Sequence, residues 1–246
     1  MIERTTTEHP LTDGTTVRLH RYPALQRLLK PAHVENRSLA DDVGETLLAR
    51  IVSGEYRPGM RLKTTLLASE LGVSRTPVAK ALARFSADGI LEQTHNHMAV
   101  VAASAADWLR QVHALRVLLE PPAARMAAGN LPHDVVEDLV LLTNDSRPRP
   151  GDQWQAAALT LDFALHLSVA FACGNAPLAT AIQNCWSYKR LSYSLADGCR
   201  SGLRREHREH AEILGALTEG QGERAERLMS EHLQASGDER PASRIV

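Results

Sequence analysis

The stretch LLASELGVSRTPVAKAL, residues 66–82, decides how the first half of the chain reads. Leu66, Leu67 and Leu71 belong to a short helix that Gly72 ends. Ser74 is placed to cap a second helix, and Pro77 is tolerated there because it falls in the first turn, where its missing N–H costs no hydrogen bond. Val78, Leu82 and Phe85, with Ala81 beside them, line one side of that second helix. Arg75, Thr76 and Ala79 point away from it, with Lys80 at the margin. Two helices joined by a tight glycine-containing turn, the second basic at its start, form a helix-turn-helix.

Working outward, Leu39, Val43, Leu47, Leu48 and Ile51 recur at helical spacing, and Ser53-Gly54 stops that helix. Pro58-Gly59 in EYRPGMRL reads as a β-turn. After Gly89, ILEQ and MAVVAA are short strand candidates separated by THNH. Helix, short helix, turn, helix and hairpin make a winged helix-turn-helix over residues 38–103. Residues 1–37 hold Pro10, Pro23 and Pro31 and read as an arm with one short docking helix in VRLHRYPALQRLLK.

Beyond Ala103 the pattern is helical to about residue 240. Ser104 and Asp107 have the spacing of a capping box that opens a helix reaching Gly129, which Pro121-Pro122 should kink or break. Further helices are expected near 133–142, 152–172, 177–196, 203–219 and 222–236, with glycines between most of them. The fold class is therefore mainly α: an N-terminal winged helix-turn-helix followed by a C-terminal all-helical antiparallel bundle, residues 104–240. Aromatic residues make up only 4% of the chain, which suits Leu/Ala-rich helices better than a β-sandwich.

A formal net charge of −1 excludes a global basic field, so nucleic acid must be met by a local patch. Segment 38–103 holds seven basic and seven acidic side chains, so the architecture and not the charge carries that inference. A recognition helix offers its N-terminal residues to base edges in the major groove. Arg75 is the base-reading candidate, because a guanidinium can bond guanine O6 and N7 together. Ser74, Thr76, Lys80, Arg84 and Lys63 are candidate DNA contacts, chiefly to phosphate, with Arg61 beside Lys63 and His97 at the tip of the wing. Three cysteines without CxxC spacing fit a reducing, cytoplasmic setting. No signal peptide and no run of about 18 apolar residues is present, so no membrane partner is expected.

The second informative stretch is TLDFALHLSVAFACGN, residues 160–175. Leu161, Phe163, Leu165, Leu167, Val169 and Phe171 leave almost no polar face, yet Asp162 and His166 stand one helical turn apart within it. A hydrogen-bonded pair inside the core would account for those two alone. His210 and His232 extend the reading. Each lies 11 residues from Gln221, in the turn EGQG between the last two helices. Equal distance from the turn of an antiparallel hairpin means equal height, about 16 Å from the loop, so the two imidazoles can face each other. One carboxylate and three imidazoles suit Zn²⁺, Ni²⁺, Mn²⁺ or Fe²⁺, with coordination positions left over. Arg116, in LRVLLE, is either a carboxylate-binding effector contact or the ion-pair partner of Glu120 one turn on. Arg190, in WSYKRLSY, is a weaker effector candidate.

Residues 51–62 (IVSGEYRPGMRL), 66–82 and 87–92 (ADGILE) closely resemble the DNA-binding domain of the GntR family of bacterial transcription regulators. The chain departs from the family pattern at Ala79, usually Arg, at Lys80, usually Glu, and at the wing tip. DFALH, ACGNAPL, EHAEIL and EHL resemble the FCD effector-binding domain of the FadR branch. The resemblance implies a homodimer that binds a palindromic double-stranded operator. It implies metal ligation by Asp162, His166, His210 and His232, and a small organic acid bound beside the metal. Two other readings of the same residues are a regulator that senses the metal itself and a metalloenzyme in which the ion activates water. No HExxH, P-loop or Ser-His-Asp set supports the last.

Overall fold

The computed structural model describes residues 19–29, 38–93, 98–151, 153–195 and 202–238, with the backbone alone for 20, 93, 190–195, 237 and 238. Among these residues there are ten α-helices and one small sheet. The described residues fall into two compact units, one holding 19–29, 115–187 and 202–238, the other 38–114 and 188–195.

The smaller unit is built on α2 (Leu39–Val52), α3 (Thr64–Glu70) and α4 (Arg75–Asp88). Ser38 starts α2 with a reciprocal capping box: its hydroxyl accepts from the Asp41 N–H, and the Asp41 carboxylate accepts from the Ser38 N–H at 3.0 Å. Val43, Leu47, Leu48 and Ile51 of α2 are buried, together with Leu67 of α3 and Val78, Ala81, Leu82 and Phe85 of α4. Gly44 lets α2 approach α4 closely, since a Cβ there would meet the Arg84 Nη2 at 3.1 Å and the Phe85 ring at 3.7 Å. Gly72 turns the chain between α3 and α4 at φ +65°, a conformation glycine adopts without a steric penalty.

The wing is an antiparallel sheet of β1 (Arg61–Leu62), β2 (Leu91–Gln93) and β3 (Ala99–Val101) in the order β1-β3-β2. Arg61 pairs with Val100, and Leu91 with Val101. The sequence pattern supplied two of these strands. It missed β1, because two residues behind a Pro-Gly turn are too few to show an alternation.

The larger unit is all helical: α5 (Trp108–Ala127, from residue 115 on), α6 (His133–Asp145), α7 (Gln153–Ala172), α8 (Ala176–Leu195, to residue 187), α9 (Leu203–Thr218) and α10 (Gly222–Asp238). Every side chain from Leu161 to Ala170 of α7 is buried, which is why this helix shows no amphipathic stripe. By length and composition α7 could cross a membrane, and burial within the bundle accounts for that composition. The short helix expected in the arm is α1 (Pro23–Leu29), and it docks on α6 and α7. Tyr22, Leu25 and Leu29 are fully buried there. The Asp138 carboxylate of α6 accepts the first free N–H groups of α1, from Ala24 at 2.7 Å and Leu25 at 3.0 Å.

One local expectation fails, and a second fails as far as a helix break is concerned. The residues meant to form a capping box at Ser104 and Asp107 enter a 3₁₀ turn, Ala105–Asp107, in which the Ser104 hydroxyl makes no cap bond and Asp107 pairs with Arg110. The Pro121-Pro122 pair does not break α5, which continues through both to Ala127. Two ladder hydrogen bonds are forfeited there. Pro121, Ala123, Ala124 and Ala127 are buried, so packing holds the helix where propensity would end it.

Candidate metal centre and nucleic-acid interface

Helix α7 places Asp162 and His166 on one face, and the α9–α10 hairpin brings His210 opposite His232. All four residues are buried, and one ligand atom from each lies within 4.8 Å of all the others. The Asp162 Oδ1 is 3.3 Å from the His166 Nε2 and 3.5 Å from the His210 Nε2, while the His210 and His232 Nε2 atoms are 3.2 Å apart. Donors about 2.1 Å from a common ion lie about 3.4 Å apart at the tetrahedral angle and about 3.0 Å apart at a right angle. Among the described residues the His166 Nε2 is buried without a hydrogen-bond partner. A buried imidazole nitrogen so placed, beside two other imidazoles and a carboxylate, suits the binding of a cation. The set is three imidazoles and one carboxylate, a borderline-to-hard donor set without sulfur.

Behind the donors stand carboxylates. The Nδ1 of His166 is held by Glu120 and that of His232 by Glu209 at 2.8 Å. Each contact turns the Nε2 edge of its imidazole toward the centre. Glu120 is itself bound by the Arg116 Nε at 2.6 Å and the Trp186 Nε1 at 3.0 Å. Arg205 holds Glu209 at 2.8 and 3.0 Å. Burial opposes ionisation of Glu120, but the Arg116 charge and the contact with His166 hold its carboxyl at about 2. Burial lowers His166, partly offset by Glu120, and lowers His232 to about 3 with help from His210. Both imidazoles are thus neutral near pH 7, the form a metal requires.

Arg116 is fully buried, its guanidinium paired with Glu120 and lying 4.2 Å from the centre of the Trp186 ring. Its Nη2 is 3.4 Å from the His166 Nδ1, the edge turned away from the metal locus. Of the two roles open to it in the sequence, the ion pair with Glu120 is present in the structure. The side chain of Arg190 lies outside the described residues, as does His97. His207 bonds Ser146 at 3.0 Å and stands apart from the centre. Glu120 and Glu209 were absent from the sequence-derived site. Their one visible signal was position: Glu120 four residues after Arg116, and Glu209 next to His210.

On α4, Ser74 occupies the N-cap position without a cap bond from its hydroxyl. Arg75, Thr76, Ala79 and Lys80 are exposed on the side opposite Val78, Leu82 and Phe85. Lys63 is exposed at the start of α3. Arg84 lies further along α4, where it pairs with Asp41 at 3.2 Å. The first turn of α4 therefore offers a cation, hydroxyls and free N–H groups together, as a reading helix needs.

A winged helix-turn-helix and a helical bundle with a buried Asp/His₃ cluster define a two-module, DNA-binding regulator. The family comparison agrees on both modules. Residues 39–101 match the bacterial regulatory proteins of the gntR family, and residues 111–235 match the FCD domain. The chain belongs to the GntR family of transcriptional regulators, in its FadR-like, FCD-containing branch, and is not an enzyme. It is 27% identical over 191 residues to the Nta operon transcriptional regulator of Aminobacter aminovorans, covering 76% of this chain and 88% of that one. It is 28% identical over 200 residues to a probable D-xylose utilization operon transcriptional repressor of Paenarthrobacter nicotinovorans, covering 80% and 87%. Among solved structures, E. coli McbR/YncC superposes with a TM-score of 0.57 at 24% identity, over 82% of this chain and 96% of that one. A putative GntR regulator from Rhodococcus sp. RHA1 gives 0.52 at 22%, over 81% and 95%. These two likenesses show the fold.

Proposed function

We propose that this regulator binds a divalent cation on Asp162, His166, His210 and His232, and that a small carboxylate bound beside the ion changes its affinity for a palindromic operator. The observation that carries the reading is the convergence of four buried donors with the His166 Nε2 left unbonded. A divalent ion and one ligating carboxylate leave a net charge of +1 in a buried site, which favours an anionic ligand at an open position. DNA is contacted through Arg75, Thr76 and Lys80, supported by Ser74 and Lys63. A homodimer supplies two such helices for two half-sites. Leu115, Leu118 and Met126, exposed along one side of α5, are in keeping with pairing of copies. The ligand acts only to the extent that it binds one arrangement of the dimer better than the other.

The test uses the full chain and a labelled operator. His210→Ala should lower metal content and abolish the response to small carboxylates while operator binding persists. Arg75→Ala should do the reverse. Loss of both properties in both variants, with folding intact, would refute the two-module assignment. If added metal alone shifts operator affinity and carboxylates add nothing, the ion itself is the signal.

A further inference from the structure

We infer that Glu120 is a positioning residue for the metal centre: it fixes the Nδ1–H tautomer of His166 and so keeps Nε2 open as a ligand, and Arg116 and Trp186 exist in this core to hold Glu120 in place. The inference rests on the metal reading above and adds a role for three residues outside the ligand set.

The geometry carries it. Glu120 is 1% exposed, and three donors from three helices converge on its two oxygens. Arg116 of α5 reaches both, with Nε at 2.6 Å from Oε1 and Nη2 at 3.3 Å from Oε2. Trp186 of α8 donates to Oε1 at 3.0 Å, and His166 of α7 meets Oε2 through Nδ1. A carboxylate has about four lone-pair positions, and these contacts fill them. A bidentate Arg–Glu pair would be satisfied without the other two. The extra donors turn the carboxylate toward the imidazole and lock it there.

A competing state explains why that matters. A neutral His166 protonated on Nε2 would have an acceptor at hand, since the Asp162 Oδ1 is only 3.3 Å away. That internal hydrogen bond would close two ligands on each other and oppose the ion. Placing the imidazole proton on Nδ1, facing Glu120, removes the competitor and leaves Nε2 with its lone pair toward the centre. Arg116 has a second effect. It neutralises Glu120, so the carboxylate adds no net charge to the site, and the ion's charge is offset by Asp162 alone. Glu209 does similar work for His232 from a site that is 23% exposed, where solvent weakens the constraint. Among the described residues His210 has no such partner, its Nδ1 being buried without a hydrogen bond.

The experiment reads tautomer and metal affinity separately. Full-length apo protein labelled with ¹⁵N at histidine reports the protonated nitrogen of each ring, and chelator competition gives the Zn²⁺ or Co²⁺ affinity. Wild type should show His166 protonated on Nδ1. Glu120→Gln should move the proton wholly or partly to Nε2 and weaken metal binding by about 10- to 100-fold. Because Glu120→Gln strands a buried Arg116, Arg116→Met/Glu120→Gln is the second variant. It removes both charges, should keep the thermal midpoint of the apo protein, and should show the same tautomer change and weaker binding. A folded variant that keeps the Nδ1–H tautomer and wild-type affinity overturns the inference. A wild type that binds neither metal overturns the metal reading instead, and the apo tautomers still test Glu120.

Discussion

Replacing Asp138 by Ala should loosen α1 on the bundle and let it open more often. Asp138 is 5% exposed, and its Oδ2 accepts the Ala24 N–H at 2.7 Å and the Leu25 N–H at 3.0 Å. Those are first-turn amides of a seven-residue helix too short to persist by itself in water. The carboxylate acts as an N-cap supplied from 113 residues away in the chain. Losing a capping side chain costs about 1–2 kcal/mol, and each buried N–H left unpaired about 1–3 kcal/mol. Since Ala24 and Leu25 are both buried, their amides have no water to turn to while α1 stays docked. A docked variant would thus lose roughly 3 kcal/mol, a large part of what holds so short a helix but less than the burial of its three large side chains contributes. Undocking still has to expose Tyr22, Leu25 and Leu29 together, but it now frees two stranded amides to water, so local opening of α1 becomes easier by about that amount, on the order of a hundredfold in the opening constant. Hydrogen exchange on the full chain is the assay. Amides of residues 24–29 should lose protection in Asp138→Ala while those of α7 and α9 keep most of theirs. Asp138→Asn retains one acceptor oxygen and should fall between. Unchanged protection at 24–29 in Asp138→Ala would refute the argument, since it would mean that apolar contact alone holds α1.

Two further predictions concern the reading head and the histidines. Arg75→Ala should cost about 1–3 kcal/mol of operator binding and relax specificity at one base pair, whereas Lys80→Ala should weaken all sequences alike and reduce the salt slope by about 1, both measured by titration at several salt concentrations. Acid should destabilise the metal-free protein below about pH 6.5. His232 falls from 6.5 to about 3 on folding, and His166 is lowered too, burial being the main cause for each. Below pH 6.5 the unfolded chain takes up protons that these buried rings refuse. Stability is therefore full above that pH and drops as pH falls toward 3, by about tenfold in the folding constant per pH unit for His232, with His166 adding to the loss in the same direction. Urea midpoints between pH 7.5 and 5 check this, and His232→Asn should flatten the slope. Equal midpoints across that range would contradict the burial argument.

What the sequence showed of this fold follows from where its signals are local. Gly54, Gly72, Gly89, Gly174 and Gly220 end helices with positive φ, and the expected boundaries fall within a residue or two of those observed nearby. The four donors were also legible. Asp162 and His166 sit at i, i+4 on a helix with no other polar excuse for them, and His210 and His232 sit at equal distance from a glycine turn. Both patterns need only the helix repeat. The failures share a different character. Ser104 and Asp107 have the spacing of a cap, but the chain enters α5 through a 3₁₀ turn, and the real box stands at Ser38 and Asp41. Pro121-Pro122 has the lowest helix propensity in the bundle, yet buried alanines on the same turns hold α5 together.

The supporting shell illustrates why such features escape. Glu120 meets His166 across 46 residues and Trp186 across 66, and Asp138 meets Leu25 across 113. No period in the sequence links those pairs, because each depends on which helix packs on which. In isolation, Arg116 and Glu120 at i, i+4 look like one of the surface pairs that contribute little to stability. Their burial at 2% and 1% reverses that reading. A buried ion pair is an expensive way to stabilise a core, and packed apolar side chains of the same volume would do as well or better. Its presence next to an imidazole of the Asp/His cluster therefore argues for a purpose other than stability, and the carboxylate's contact with the His166 Nδ1 supplies one. If Arg116 and Glu120 served packing alone, exchanging both for neutral side chains of similar shape would leave the tautomer of His166 and its hold on the ion untouched.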